Sequence, residues 1–305
     1  MTPTMPNFLI IGAAKAGTTS LYHYLQQHPD IFLGSPKEMV FFASTYERTR
    51  IVRFPNRPKN LTEYQQIFAE ARHKPARGEV STPYLYLPTS ARRIAEHIPD
   101  AKLIVMLRHP AERAFSQYQH MRRDGLETTT DFGEALNLET ARLATDPFAG
   151  WQYRSIGYYA AQIAHYLELF PRSQLRVYLY DDFARDTNAV LRDIFSFLEV
   201  DPDVRIDHDV RHNISGIPRN RALHQLVNRN KRLRQNLKRV LPHWLTKRLA
   251  YGFNRRNLVR ETLSNTLYNA LTEEYRDDIL ALEKLIGRDL SGWLEPRPTP
   301  HPEPR

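Results

Sequence analysis

The stretch Asn7 to Gln27, NFLIIGAAKAGTTSLYHYLQQ, constrains the fold more than any other part of the chain. Phe8 to Ile11 is a short run of large apolar residues, suited to a parallel strand buried on both faces. It breaks at Gly12. A small-residue loop leads to Gly17, after which Leu21, Tyr24 and Leu25 recur at helical spacing. A strand feeding through a tight loop into a helix start gathers backbone N–H groups and the positive end of a helix dipole at one point, where an anion can sit. Lys15 and the hydroxyls of Thr18 and Thr19 add a charge and two donors. The usual phosphate loop reads G-x-x-x-x-G-K-[ST]. Gly12 and Gly17 keep that spacing, but Thr18 stands at the lysine position and the only lysine, Lys15, lies inside the loop. A phosphate-like ligand is expected there, and a strict ATP or GTP loop is disfavoured.

The same alternation continues down the chain. Ile31 to Leu33 reads as a short strand and Gly78 to Ser81 as a strand end. Lys102 to Leu107, KLIVML, is a second buried-strand run, ending at Arg108 with Pro110 at the favoured first position of a helix. Leu175 to Tyr180 is a third. Helices are predicted over Ser90–His97, from Pro110 through Tyr118, after Asp131, over Gly157–Phe170 and over Asn188–Leu198; Thr62 with Gln65 suggests a capping box for a further short one. Strands alternating with helices give an α/β fold: a P-loop-like parallel sheet flanked by helices, in one domain over 1–294. Its part 219–290 has no strand signal and is expected to be helical and basic. Proline at every second position from Glu295 predicts a disordered tail over 295–305.

The net charge of +9 is concentrated: 219–260 holds thirteen Lys/Arg and no Asp or Glu, leaving 30 basic against 34 acidic residues elsewhere. A local field suggests a local partner, either an acidic polymer or a membrane surface met through PHWLTKRLAYGF, where Trp244 and Phe253 are interspersed with cations; it also fits a solvated helix face. No nucleic-acid-binding module accompanies the charge, so no nucleic-acid partner is expected. The twelve histidines show no metal-ligand spacing. The absence of cysteine suits a reducing cytoplasm, and neither a signal peptide at MTPTMPNF nor an apolar run of spanning length is apparent.

Three motifs in this order resemble the PAPS-dependent sulfotransferases, in particular bacterial members related to the heparan sulfate type. AAKAGTTSL resembles that family's 5′-phosphosulfate loop, RHPAERAFSQY its 3′-phosphate motif, and KEMVFF its Lys-Glu-x-x-Phe-Phe element. GEVSTPYLYLP, the Gly157-Tyr158 helix and HNISGIPRNRAL are also similar, so the resemblance spans about Asn7 to Ile217. It implies PAPS (3′-phosphoadenosine 5′-phosphosulfate) as co-substrate and no metal. Lys15, with the N–H groups of Ala16, Gly17, Thr18, Thr19 and Ser20, would hold the 5′-phosphate and the charge developing on the bridging oxygen. Arg108 and Ser116 would grip the 3′-phosphate. Glu38 would be the base that takes the proton of an acceptor hydroxyl on a carbohydrate, lipid or small molecule. Arg219 and Arg221, in a Gly/Pro loop, are candidates to close over the adenosine or 3′-phosphate. One departure is Val80, where heparan-type members often carry a lysine. Two other readings stay open from sequence: a P-loop kinase using ATP, with Asp181 after LRVYLY imitating a Walker-B acid, and a non-catalytic anion-binding module docking through 219–260.

Overall fold

The computed structural model describes residues 4–44, 57–146, 148–208, 217–218, 258–259 and 261–298. Its centre is β1 (Phe8–Gly12), all five residues of which are buried. β1 pairs in parallel with β3 (Ala76–Val80) on one side and β4 (Lys102–Leu107) on the other; β2 (Ile31–Leu33) and β5 (Leu175–Leu179) extend the sheet to the order β2-β3-β1-β4-β5, parallel throughout. The three strongest apolar runs of the sequence thus become adjacent strands, β1 and β4 buried almost throughout and β5 at the sheet edge with Arg176 exposed.

Strand register is fixed by side-chain volume at one point. Phe8 lies opposite Gly78, and a Cβ on Gly78 would stand 2.1 Å from the Phe8 ring. Only a residue without a side chain leaves room for that ring in the closed core. Gly78→Ala is therefore expected to destabilise the fold by about 3 kcal/mol, the upper range for overpacking. Thermal melting would show it; an unchanged midpoint would mean that the ring moves aside freely.

Between β1 and β3 run α1 (Thr18–Leu25), β2 and α2 (Leu61–Ala69). α2 is capped by Asn60, whose side chain accepts from Glu63 N–H at 2.9 Å, while the Glu63 carboxylate takes the Lys59 N–H at 2.8 Å. This replaces the expected Thr62–Gln65 box: Thr62 already lies in the first turn, and Asn60 is the residue whose oxygen reaches back to that turn. α3 (Pro88–His97) opens with proline, starting two residues before the expected Ser90, and α4 (Pro110–Arg123) opens with proline as predicted. α5 (Phe132–Asn137), capped by Asp131, and α6 (Glu139–Thr145) follow, then α7 (Tyr159–Leu169), α8 (Tyr180–Arg185) and α9 (Thr187–Phe197).

The C-terminal part corrects two expectations. A two-residue strand β6 (Ile217–Pro218) pairs antiparallel with β7 (Leu258–Val259), so the region 219–290 is not helical throughout. Such an isolated pair joins residues far apart in sequence, which local periodicity cannot reveal. α10 (Asn265–Glu274) and α11 (Arg276–Ile286) are helical as predicted. Asp278 of α11 accepts from Tyr159 N–H at 2.8 Å and Ala160 N–H at 3.2 Å, capping α7 from outside its own segment. Residues 295–298 are held in place, against the expected disorder: Arg297 exchanges two hydrogen bonds with the Asn269 side chain (2.8 and 2.9 Å), because its backbone groups find an amide partner despite the prolines, while 299–305 lie outside the described residues.

Candidate active site

In a parallel sheet, ligands bind outside the carboxyl ends of strands where the chain departs in opposite directions. Here that place is the end of β1, flanked by the ends of β3 and β4. A cavity of about 530 Å³ opens there, lined by Lys15, Gly17, Thr18, Thr19, Ser20, Glu38, Arg108 and Ser116 among others. Eight of the site residues expected from sequence therefore meet in one space. Ala16 is placed differently. Its side chain is buried and its N–H closes a turn on Ala13 O at 3.3 Å, so it shapes the loop from within. Arg219 and Arg221, with nearly all of 219–260, lie outside the described residues.

The loop owes its shape to backbone geometry. Ala13 N–H is tied to Met106 O at 2.7 Å, which pins the loop to the end of β4. Lys15 and Gly17 both take positive φ, 71° and 90°. A Cβ on Gly17 would also stand 3.0 Å from the Tyr180 ring, so glycine is required there twice over. Gly17 caps α1, and the N–H groups of Thr18 and Thr19 precede the first helical hydrogen bond, Leu21 N–H to Gly17 O at 3.2 Å. No acidic residue occupies the first turn to compete for the anion. Burial, reinforced by the cations of Arg123, Lys37 and Arg108 against the opposing pull of Asp124, brings the Lys15 ammonium down to about 7.

Glu38 lines the same cavity. Its carboxylate accepts from Thr82 N–H at 2.8 Å and Thr82 Oγ1 at 3.0 Å and is ion-paired with Lys37. Lys37 thus supplies a cation beside Glu38 in a chain that has Val80 in place of a lysine. Glu38 and Val40 both have positive φ, 64° and 52°, which strains non-glycine residues and persists only where the surroundings enforce it. The enforcement is visible. Glu38 N–H donates to Val80 O at 2.8 Å, Val40 N–H to Ser81 Oγ at 3.0 Å, and Phe42 N–H to Tyr84 OH at 3.2 Å. Ser81 and Tyr84 in turn donate to the fully buried carboxylate of Glu79 at 2.5 and 2.7 Å, and Tyr64 OH donates to its other oxygen. Burial pushes the Glu79 carboxyl up, while the three hydroxyl donors restrain the rise. Phe41 and Phe42 are core residues, Phe41 stacked on Tyr64 at 4.2 Å.

Arg108 leaves the end of β4 and lies over the Tyr180 ring at 4.9 Å. Its Nε and Nη2 both donate to one oxygen of Glu112, at 3.1 and 2.8 Å. Ser116, two turns along α4, borders the same space. Continuing along that face brings His120, Arg123 and Asp124 into the lining, with His120 Nε2 and Asp124 Oδ2 3.1 Å apart. Burial depresses His120; Asp124, which burial alone would raise, is brought to about 2 by His120 and Arg123. Sequence reasoning missed these three and Thr82, Tyr86 and Lys37. Extending the helical face from Ser116 in steps of four would have found His120 and Asp124.

Asp181, the Walker-B candidate, does not border the cavity; it accepts from the Trp293 indole N–H at 3.2 Å. Among the described residues no group of His, Asp and Glu is arranged to hold a metal ion, and no helix is long and apolar enough to cross a membrane.

Comparison with known proteins adds relatives to this geometry. The chain is 28% identical over 299 residues to the bifunctional heparan sulfate N-deacetylase/N-sulfotransferase 4 of Mus musculus, covering 95% of this chain and 31% of that protein. It is 36% identical over 114 residues to the membrane-associated sulfotransferase kil1 of Dictyostelium discoideum, 37% of this chain and 22% of the other. The chain spans less than a third of the length of these curated relatives. A crystal structure of a sulfotransferase from Alicyclobacillus acidocaldarius superposes with a TM-score of 0.73 at 33% identity, over 96% of this chain and all of that one. The description "Sulfotransferase family" matches residues 6–203, from before β1 to beyond α9, and with every strand of the five-stranded sheet inside that match the chain belongs to the sulfotransferase family.

Proposed function

We propose that the chain transfers a sulfuryl group from PAPS to an acceptor hydroxyl, with Glu38 as the base. One observation carries the reading: a single cavity is lined by two anion grips, Lys15 with the start of α1 and Arg108 with Ser116, and by the carboxylate of Glu38. Two grips suit a ligand with phosphates at both its 3′ and 5′ ends. When bound, PAPS supplies an activated sulfuryl group on a phosphosulfate anhydride.

The chain's own residues then have distinct tasks. Lys15 and the N–H groups opening α1 hold the 5′-phosphate and stabilise charge gathering on the bridging oxygen as its bond to sulfur breaks. Arg108 presents a planar guanidinium to the 3′-phosphate, stiffened by Tyr180 beneath and Glu112 beside it. Glu38, held by Thr82, takes the acceptor's proton as the acceptor oxygen bonds to sulfur opposite the leaving oxygen. Met121, Leu126 and Phe148 give the remaining wall an apolar surface for the body of a carbohydrate, lipid or small-molecule acceptor. A contact of 219–260 with a membrane surface or acidic polymer, a location in the cytoplasm and the absence of a nucleic-acid partner belong to the same proposal, supported by the charge distribution and lack of cysteine. The kinase reading finds no support in Asp181, which is engaged by Trp293.

Calorimetric titration with adenosine 3′,5′-bisphosphate (PAP) and with ATP, on wild type and Arg108→Ala, tests the reading. The expected result is bisphosphate binding well above ATP binding, with a loss of about 2–3 kcal/mol in the variant, the worth of charge-assisted bonds to one phosphate. Preference for ATP, or indifference to Arg108, would overturn it.

A further inference from the structure

We infer that Arg297 sets the affinity of the site for a 3′-phosphate, by neutralising Glu112 behind Arg108. The inference rests on the proposed use of PAPS and concerns a residue that does not line the cavity.

The charges explain why such a residue is needed. Arg108 gives two of its N–H groups to a single oxygen of Glu112. By themselves the two side chains form a neutral pair, and a phosphate arriving at Arg108 would meet a carboxylate already holding the guanidinium. The second oxygen of Glu112 is ion-paired with Arg297. Two guanidinium groups on one carboxylate leave a net charge of +1 at the place where the phosphate docks. Burial pushes the Glu112 carboxyl up, but Arg108 and Arg297 outweigh it and hold it below the usual carboxylate range. Glu112 therefore stays ionised, and its charge must be offset by something other than Arg108 if Arg108 is to serve a ligand.

Arg297 is not an incidental visitor from a loose end. Asn269 of α10 clamps its backbone through both the N–H (2.8 Å) and the C=O (2.9 Å). Its guanidinium lies 3.7 Å from the centroid of the Tyr268 ring. Tyr268 stacks at 4.5 Å on His109, the residue that follows Arg108 and caps α4. The His109 ring also meets Trp293 O at 2.9 Å, and burial lowers it to about 4, so it adds no charge at neutral pH. The C-terminal segment is thus latched to the corner between β4 and α4 at three points, and the latch aims one cation at Glu112.

Arg297→Gln separates this electrostatic role from simple anchoring. PAP affinity should fall about tenfold or more, whereas affinity for ADP, which has the 5′-phosphates but no 3′-phosphate, should change less than about twofold; the PAP loss should shrink with added salt, as screened charges require. Adding Glu112→Gln to Arg297→Gln should recover most of the PAP affinity, because the carboxylate that competes for Arg108 is gone. Equal losses for PAP and ADP, or no recovery in the double variant, would mean that Arg297 only holds the tail in place. Wild-type PAP affinity in Arg297→Gln would overturn the inference alone. A wild type that fails to prefer PAP to ADP would overturn the cofactor reading and this inference with it.

Discussion

Glu38→Gln is expected to slow sulfuryl transfer from PAPS by about 10²–10⁴-fold, the range for loss of a positioned general base, while PAP affinity changes by less than about threefold. The amide keeps the size of the carboxylate and its carbonyl oxygen can still accept from Thr82 N–H, so the loop keeps its shape. What it cannot do is take a proton. An acceptor hydroxyl attacks poorly unless its proton leaves as the new bond forms, which is why the effect belongs in turnover and not in binding. Transfer would be measured with radiolabelled PAPS against a panel of simple alcohols and phenols, with water as the acceptor of last resort. A rate within tenfold of wild type on every acceptor would assign the base elsewhere. Lys37 is ion-paired with Glu38 and borders the same cavity, so a cation lies beside the carboxylate whose removal is tested.

Lys15→Met should have the second large effect, and in two opposite directions. Binding of PAP should fall by about 10²-fold or more, since a charge-assisted contact to phosphate is removed from a sheltered site. The ligand-free protein should become more stable. In the fold Lys15 titrates near 7, against 10.5 for an ordinary lysine. Between those values the unfolded chain binds a proton that the folded chain does not, so stability rises with pH across this window. Below pH 7 Lys15 is charged in both states and its full cost is present. Methionine removes that cost, worth on the order of 1–2 kcal/mol after allowance for the solvent the side chain still reaches. Binding shows the same linkage from the other side. At pH 8 most Lys15 is neutral before PAP arrives and charged afterwards, so titration in buffers of different ionisation enthalpy should register uptake of close to one proton, vanishing towards pH 6 and absent in Lys15→Met. No uptake at pH 8 would show that Lys15 is charged beforehand and that the site is wetter than its geometry implies.

Much of this was legible before any coordinates. β1 and β4 announce themselves because burial on both faces demands unbroken apolar runs, and Gly12 and Gly17 mark where the first run turns. Lys15, Glu38, Arg108 and Ser116 were singled out by resemblance to a family's motifs, and all four border the cavity. Other parts obey no local rule. Glu79 sits in a strand whose alternation does not reveal that its carboxylate is buried, nor that Tyr64, fifteen residues earlier, joins Ser81 and Tyr84 in donating to it. The clamp of Asn269 on Arg297 looks, in sequence, like an ordinary helix residue beside a proline-rich end. The pairing of Ile217–Pro218 with Leu258–Val259 joins segments too short to carry a period. Thr62 with Gln65 shows the reverse error: a pattern that fits the rule while the neighbouring Asn60 performs the task.

The latch at Arg297 also bears on the order in which the protein can mature. Arg297 lies 185 residues beyond its partner Glu112 and leaves the ribosome after every strand of the central sheet. Domains gather themselves from the N-terminus during synthesis, so the loop at Lys15, the carboxylate of Glu38 and the guanidinium of Arg108 can all be in place while Glu112 still lacks its second partner. A nascent chain would then hold the 5′ end of its cofactor before it could hold the 3′ end well. Full affinity would be acquired late, with the docking of the segment that carries Arg297.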